Sequence, residues 1–267
     1  MSPGPGASRL EAALRGPRKG LVAYVTAGDP SPAATADVVR ACAAGGADVI
    51  ELGVPFSDPS ADGPVIQRAM QRALCAGGSL LRTIEAVAAV RKSGVDVPIV
   101  LFGYYNPFYI RGLERAVAEA REAGADGMLV VDLPPEEGEE LHAPLRAADL
   151  GVVPLVAPTS TPARIAAAAR AASGFVYYVA LLGVTGAALD PGALGELGGR
   201  VAAIRAATPL PVAVGFGVSG PEDAARVAEQ ADAVVVGSAI VRVIEQNAAS
   251  PAGAVERFVA GLRAALR

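Results

Sequence analysis

The chain has 267 residues, 52% hydrophobic and 19% charged, a balance too apolar for disorder and sufficient to fill a large core. A net charge of −4 without any run of Lys and Arg excludes a phosphate-backbone footprint for nucleic acid. Two cysteines, Cys42 and Cys75, cannot build a disulfide scaffold or a metal cluster; both are expected as small core residues of a reducing, cytoplasmic protein.

The first stretch, MSPGPGASRLEAALRGPRKG, breaks early at Pro and Gly and has no apolar segment of signal-peptide length. It predicts a loose start and one short helix near Leu10 to Leu14. Short β-branched runs then recur, each ending in Gly, Pro or Asp: GLVAYVTAGDP, ADVIELGVP, VPIVLFGYYNP, ADGMLVVDLPP, GVVPLVAPTS, GFVYYVALLGVTG, LPVAVGFGVSG and ADAVVVGSA. Ala-rich segments of helical period lie between them, among them Ala33 to Ala44, Leu80 to Lys92, Leu113 to Glu122, Glu136 to Ala148, Pro162 to Ala172 and Glu222 to Glu229. Residues 171–189 carry no charge over nearly the length of a membrane helix. Their three glycines and β-branched, aromatic centre predict a buried strand and a loop instead.

Strand and helix in strict alternation imply parallel pairing, and near-continuous apolar strands imply helices on the sheet. Eight such units predict a single TIM-barrel domain, (β/α)8, over residues 1–267, with a doubly wound open sheet as the alternative. Spacing is even except at residues 53–78, which must hold an inserted loop and helix after strand two. The recurring AGGADVIELG, EAGADGMLVV and EQADAVVVGS before strands two, four and eight are accounted for by Gly ending a helix and Asp preceding a strand.

In a barrel, chemistry sits at the C-terminal strand ends. There the chain places ELGVPFSDPSADGP, residues 51–64, in which Pro55, Pro59 and Pro64 rule out a helix interior or a central strand. Period-two alternation puts Glu51 on the face of Val49, where an unpaired carboxylate is costly. Either a distant Arg or backbone donors satisfy it, or the stiff loop brings a second acid back to form an acid/base pair. Taken singly, Asp58 and Asp62 read as turn residues. GVTG, GFGVSGPED and VGSAI close three consecutive strands, and Gly-rich turns opening helices there predict a phosphate site. Tyr24, Tyr177 and Phe216 near strand ends either line a pocket or pack the core. His142, in EEGEELHAPLRAADLG, is expected on a solvated face, away from any catalytic role.

Taken in order, YVTAGDP, ELGVPFSDPSADGP, GVTG, GFGVS and GSAIV resemble the tryptophan synthase α-subunit family across essentially the whole chain. The resemblance implies a lyase that cleaves indole-3-glycerol phosphate, by a retro-aldol step, to indole and glyceraldehyde 3-phosphate. It implies Glu51 as general acid/base and Asp62 as the carboxylate that holds the indole N–H. Tyr177 would assist near the glyceryl chain, with Tyr178 one residue away as the ambiguity in VYYV. By the same matching Gly186, Gly217, Gly237 and Ser238 would bind phosphate, Tyr24, Leu129 and Phe216 would shape the pocket, and Thr185 would lie in a closing loop. Asp58 and Pro59 would face a partner β subunit in an α2β2 heterotetramer. No cofactor is implied for this chain; pyridoxal phosphate belongs to the partner. Ala180, Leu181 and Leu182 depart from the polar lead-in to GVTG usual in the family, a change expected to weaken loop ordering or its coupling to the partner and so to bear on regulation more than on chemistry. A stand-alone lyase and a catalytically silent regulatory subunit are the alternatives.

Overall fold

In a computed structural model, which describes residues 5–180 and 191–266, strand and helix alternate as the apolar runs require. The elements in order are α1 (Pro5–Leu14), β1 (Gly20–Thr26), α2 (Thr35–Ala44), β2 (Val49–Gly53), α3 (Pro64–Cys75), α4 (Leu80–Lys92), β3 (Ile99–Gly103), α5 (Tyr105–Arg111), α6 (Leu113–Ala123) and β4 (Gly127–Val130). There follow α7 (Glu139–Ala147), β5 (Gly151–Val152), β6 (Leu155–Val156), α8 (Pro162–Ala171), β7 (Val176–Val179), α9 (Pro191–Ala207), β8 (Val212–Gly215), α10 (Pro221–Ala228), β9 (Ala233–Val236), α11 (Ser238–Gln246) and α12 (Ala252–Ala265).

All strand pairs are parallel, in the order β5-β4-β3-β2-β1-β9-β8-β7-β6. The two ends of that order are halves of one strand, parted only by Val153 and Pro154. Proline has no N–H to give the ladder, so regular pairing lapses there. The Val153 N–H still donates to the Met128 carbonyl at 3.0 Å, and the Pro154 carbonyl accepts from the Tyr177 N–H at 3.1 Å. The circuit therefore closes as the expected eight-stranded barrel. An open doubly wound sheet would end in two unrelated edges.

Alternation along the strands separates two cores. Val22, Tyr24, Val49, Val100, Phe102, Leu129, Tyr177, Ala213 and Val235 fill the interior, joined from one end by Leu10 and Leu14 of α1 and from the inserted helix α3 by Val65 and Ala69. A larger shell, including Ile50, Leu52, Leu101, Met128, Tyr178 and Val214, meets the surrounding helices.

The three recurring Asp residues do more than precede strands. Asp48, Asp126 and Asp232 each accept the N–H of a neighbouring strand's first residues, from Leu21, Ile99 and Val212, at 2.8, 2.8 and 2.9 Å. Each also holds an arginine: Arg263 on Asp48 at 2.6 Å, Arg9 and Arg91 on Asp126 at 2.7 Å, and Arg205 on Asp232 at 2.6 Å. Burial pushes the Asp126 carboxyl up in spite of the Ile99 N–H and its two guanidinium partners, so the pairs offset a real desolvation cost. Asp126→Asn, which leaves both arginines facing a neutral group, is expected to cost about 3 kcal/mol of stability. Urea denaturation should show this as a lower midpoint, with turnover per folded molecule unchanged.

Four details differ from the sequence expectations. Helix α1 runs over all of Pro5–Leu14 because Ala7 and Leu10 also find buried surface. Helix α5 forms despite Pro107, which stands in the first turn, where no N–H is needed. Cys75 ends α3 and is exposed, whereas Cys42 is buried as expected. His142 is buried rather than solvated: α7 turns it inward against Gly138, beside Leu133, Leu141 and Val152, and burial lowers its pKa. It remains apart from the carboxylates described next.

Candidate active site

Glu51 is the central residue of β2, level with Tyr24 of β1 and Val100 of β3. It is fully buried on the interior side, and neither carboxyl oxygen has a hydrogen-bond partner among the described residues. Among the described residues no Arg or backbone donor satisfies it. Burial alone pushes its pKa up to about 8. Such a group holds its proton at neutral pH and can both give and take one there.

The loop after β2 returns Asp62 to the same end. Tyr104, just past β3, donates its hydroxyl proton to Asp62 Oδ2 at 2.7 Å, and its Oη accepts the Ala61 N–H at 3.0 Å. Phe56 stacks on the Tyr104 ring with centroids 5.1 Å apart. Tyr104 is thus the post on which the loop is hung, and the sequence reading had not singled it out. Burial raises the Asp62 carboxyl while the Tyr104 hydrogen bond works the other way. Helix α3, which continues the loop, is moored by Arg72, forked onto Asp29 at 2.8 and 2.9 Å and reaching Glu245 at 2.7 Å.

Two buried tyrosines complete the group. Burial first, and then the nearby carboxylates, hold both hydroxyls protonated: Asp62 acts more strongly than Glu51 on Tyr24, and Glu51 more strongly than Asp62 on Tyr177. Both carboxylates thus act on both phenols, and the strand register sets Tyr24 level with Glu51. Tyr177 groups with the interior and Tyr178 with the shell, which settles which of the pair faces inward. Phe102, also missed by the sequence reading, lies between them, its ring 5.1 Å from Tyr24 edge-on and 6.5 Å from Tyr177. Leu129 pairs with Phe102 in register and is buried in the same interior. A Cβ at Gly53 would collide with the Tyr24 hydroxyl, and one at Gly215 with that of Tyr177, so these glycines make room for the two phenols.

The remaining predicted residues separate. Gly237 and Ser238 open α11, whose N-terminal N–H groups suit an anion without any basic side chain. Gly217 takes φ +66°, a conformation that favours glycine. At α10 the neighbouring donors are already engaged, since Asp223 accepts from both the Ser219 N–H and hydroxyl. Phe216 is buried, but with the shell rather than with the interior rings. Thr185 and Gly186, and Leu181 and Leu182 before them, lie outside the described residues. Ala180 is described and packs partly buried against the shell. Asp58 is exposed and Pro59 half-buried on the loop. Close by in sequence to Tyr104, α5 exposes Tyr109 and Ile110, 57% and 75% accessible. Among the described residues no cluster of His, Cys, Asp and Glu is placed to hold a metal ion, and no single helix is long and apolar enough to cross a membrane.

The family model described as tryptophan synthase alpha chain matches residues 10–265. A curated relative of that name from Burkholderia thailandensis is 53% identical over 251 residues, covering 93% of this chain and 92% of its own. Among solved structures, tryptophan synthase subunit alpha from Legionella pneumophila superposes with a TM-score of 0.89 at 38% identity, covering 99% of this chain and 98% of its own. The tryptophan synthase α2β2 complex of Pyrococcus furiosus contains a chain that superposes with a TM-score of 0.81 at 34% identity, with 92% and 99% covered.

Proposed function

This chain belongs to the tryptophan synthase alpha chain family, and from that premise we propose how its residues divide the cleavage of indole-3-glycerol phosphate into indole and glyceraldehyde 3-phosphate. The observation that carries the reading is Glu51: buried, without a hydrogen-bond partner among the described residues, poised near pH 8, and acting on the same two tyrosines as Asp62. Carbon–carbon cleavage needs indole as a leaving group, so its C3 must gain a proton and the ring nitrogen's growing positive charge must be offset. Protonated Glu51 gives the proton to C3, and Asp62 stands against the nitrogen. Glu51, now a carboxylate, takes the proton from the glyceryl 3′-hydroxyl as the bond breaks, its electrons returning to the indole ring. The glyceryl carbon leaves as the aldehyde, and Glu51 ends protonated as it began.

Tyr177 assists at the glyceryl chain, and Tyr24, Phe102 and Leu129 clasp the ring. Gly237 and Ser238 at α11 take the phosphate with Gly217, and the family resemblance adds Gly186 to them, gives Thr185 to a closing loop and makes Phe216 a wall of the pocket. No step calls on a cofactor; pyridoxal phosphate serves the β subunit. The chain acts as one domain in the cytoplasm, as the α subunit of an α2β2 assembly. Asp58 and Pro59 face the partner, and the exposed apolar Tyr109 and Ile110 of α5 are further candidates for that contact. Indole release should be measured with and without the β subunit: a marked acceleration by the partner is expected. Equal, rapid release in both would favour a stand-alone lyase, and none in either a silent regulatory subunit.

A further inference from the structure

We propose that the opposite end of the barrel carries a second anion site, for a small phosphate-bearing molecule, where the segment between α1 and β1 meets the starts of β8 and β9. A cavity of about 510 Å³ lies there, within the range of small-molecule sites. Its wall includes Arg15, Arg18, Lys19 and Arg205 against a single carboxylate, Asp232. Lys19, Pro211 and Asp232 each stand immediately before a strand, so the cavity opens at the strand starts, away from Glu51 and Asp62.

The ion pairs at this end do not use up the positive charge. Asp232 is taken by Arg205 at 2.6 Å and by the Val212 N–H. Arg15 is held by Glu11 at 2.6 Å and by the Pro209 carbonyl. Asp48 is taken by Arg263 at 2.6 Å, which leaves Arg18 at 3.7 Å with its side chain 62% exposed. Lys19 donates to the Ala231 carbonyl at 2.8 Å and forms no ion pair among the described residues. Arg18, the second and looser guanidinium on Asp48, and Lys19 therefore keep charge to spare, in a chain whose net charge is −4. A guanidinium fork beside an ammonium suits a phosphate, which offers several oxygens to both. Pro17, Pro209 and Pro211 stiffen the wall, so little ordering is needed on binding.

The test is calorimetric titration of the full chain with inorganic phosphate and with pyrophosphate, in the wild type and in Arg18→Ala/Lys19→Ala. Two sites are expected in the wild type, one at α11 and one here. The double variant should lose the second, with affinity there falling about ten-fold or more, while indole release stays at the wild-type rate. Should removal of the Lys19 bond unfold the chain, Arg18→Glu alone carries the same test, since that side chain is largely exposed. Identical isotherms in wild type and variant would overturn the proposal. A single wild-type site that vanishes in the variant would support it and count instead against phosphate binding at α11.

Discussion

Glu51→Gln is expected to lower indole release by about 10²- to 10⁴-fold while making the protein more stable above neutral pH. Both halves follow from the same carboxyl. Its folded-state pKa is raised to about 8 by burial, against an ordinary value of ~4.3 for glutamate. Between those values the folded chain keeps a proton that the unfolded chain releases, so each step up in pH favours unfolding. The loss begins near pH ~4.3, deepens through the window, and levels off above about 8. Gln is nearly isosteric and cannot ionise, so it removes this penalty. Thermal melts should show the variant above the wild type at pH 8 to 9 and level with it near pH ~4. The wild-type rate should fall as pH rises through about 8, because the proton given to indole C3 is then lost beforehand. Normal turnover in Glu51→Gln would remove Glu51 from the mechanism, and a variant no more stable at any pH would overturn the raised pKa.

Much of this arrangement could be read from the chain because it depends on near neighbours. The eight apolar runs announce strands, and alternation from Val49 is enough to turn Glu51 inward. Asp62 stands out since three prolines confine the loop that carries it. What could not be read depends on distant partners. Tyr104 lies 42 residues from Asp62, and only the pairing of β2 with β3 brings them together. Phe102 reads as one more apolar strand residue until Tyr24 and Tyr177 are found on either side. The recurring Asp reads only as a residue preceding a strand, behind the Gly that ends a helix; its arginines come from 35 and 215 residues away, as in Arg91 with Asp126 and Arg263 with Asp48. His142 misled for the opposite reason: a helix start crowded with glutamates looks solvated, but the next helical face is the one that packs. The break at Pro154 splits a strand in two without opening the barrel, because the carbonyl of a proline still accepts.

Asp62→Asn is expected to lower turnover by about 10²- to 10³-fold, with a much smaller change in KM. Asparagine keeps an oxygen that can accept the indole N–H, so the bound substrate loses little. What it lacks is the negative charge, and the ring nitrogen becomes positive only as C3 is protonated. The loss should therefore fall on kcat, the signature of an interaction made in the transition state alone. Tyr104→Phe separates charge from placement. It removes the donor to Asp62 and the acceptor for the Ala61 N–H but leaves the carboxylate in being. A slackened loop should cost about ten-fold, the worth of one hydrogen bond to a charged group, and should raise the Asp62 pKa further, since that bond favours the ionised form. If Asp62→Asn proved no worse than Tyr104→Phe, the charge would be contributing nothing and Asp62 would be only a fixture of the loop. If it proves worse by an order of magnitude or more, the carboxylate acts on the nitrogen directly, and Tyr104 serves to keep it in place until the charge it answers has formed.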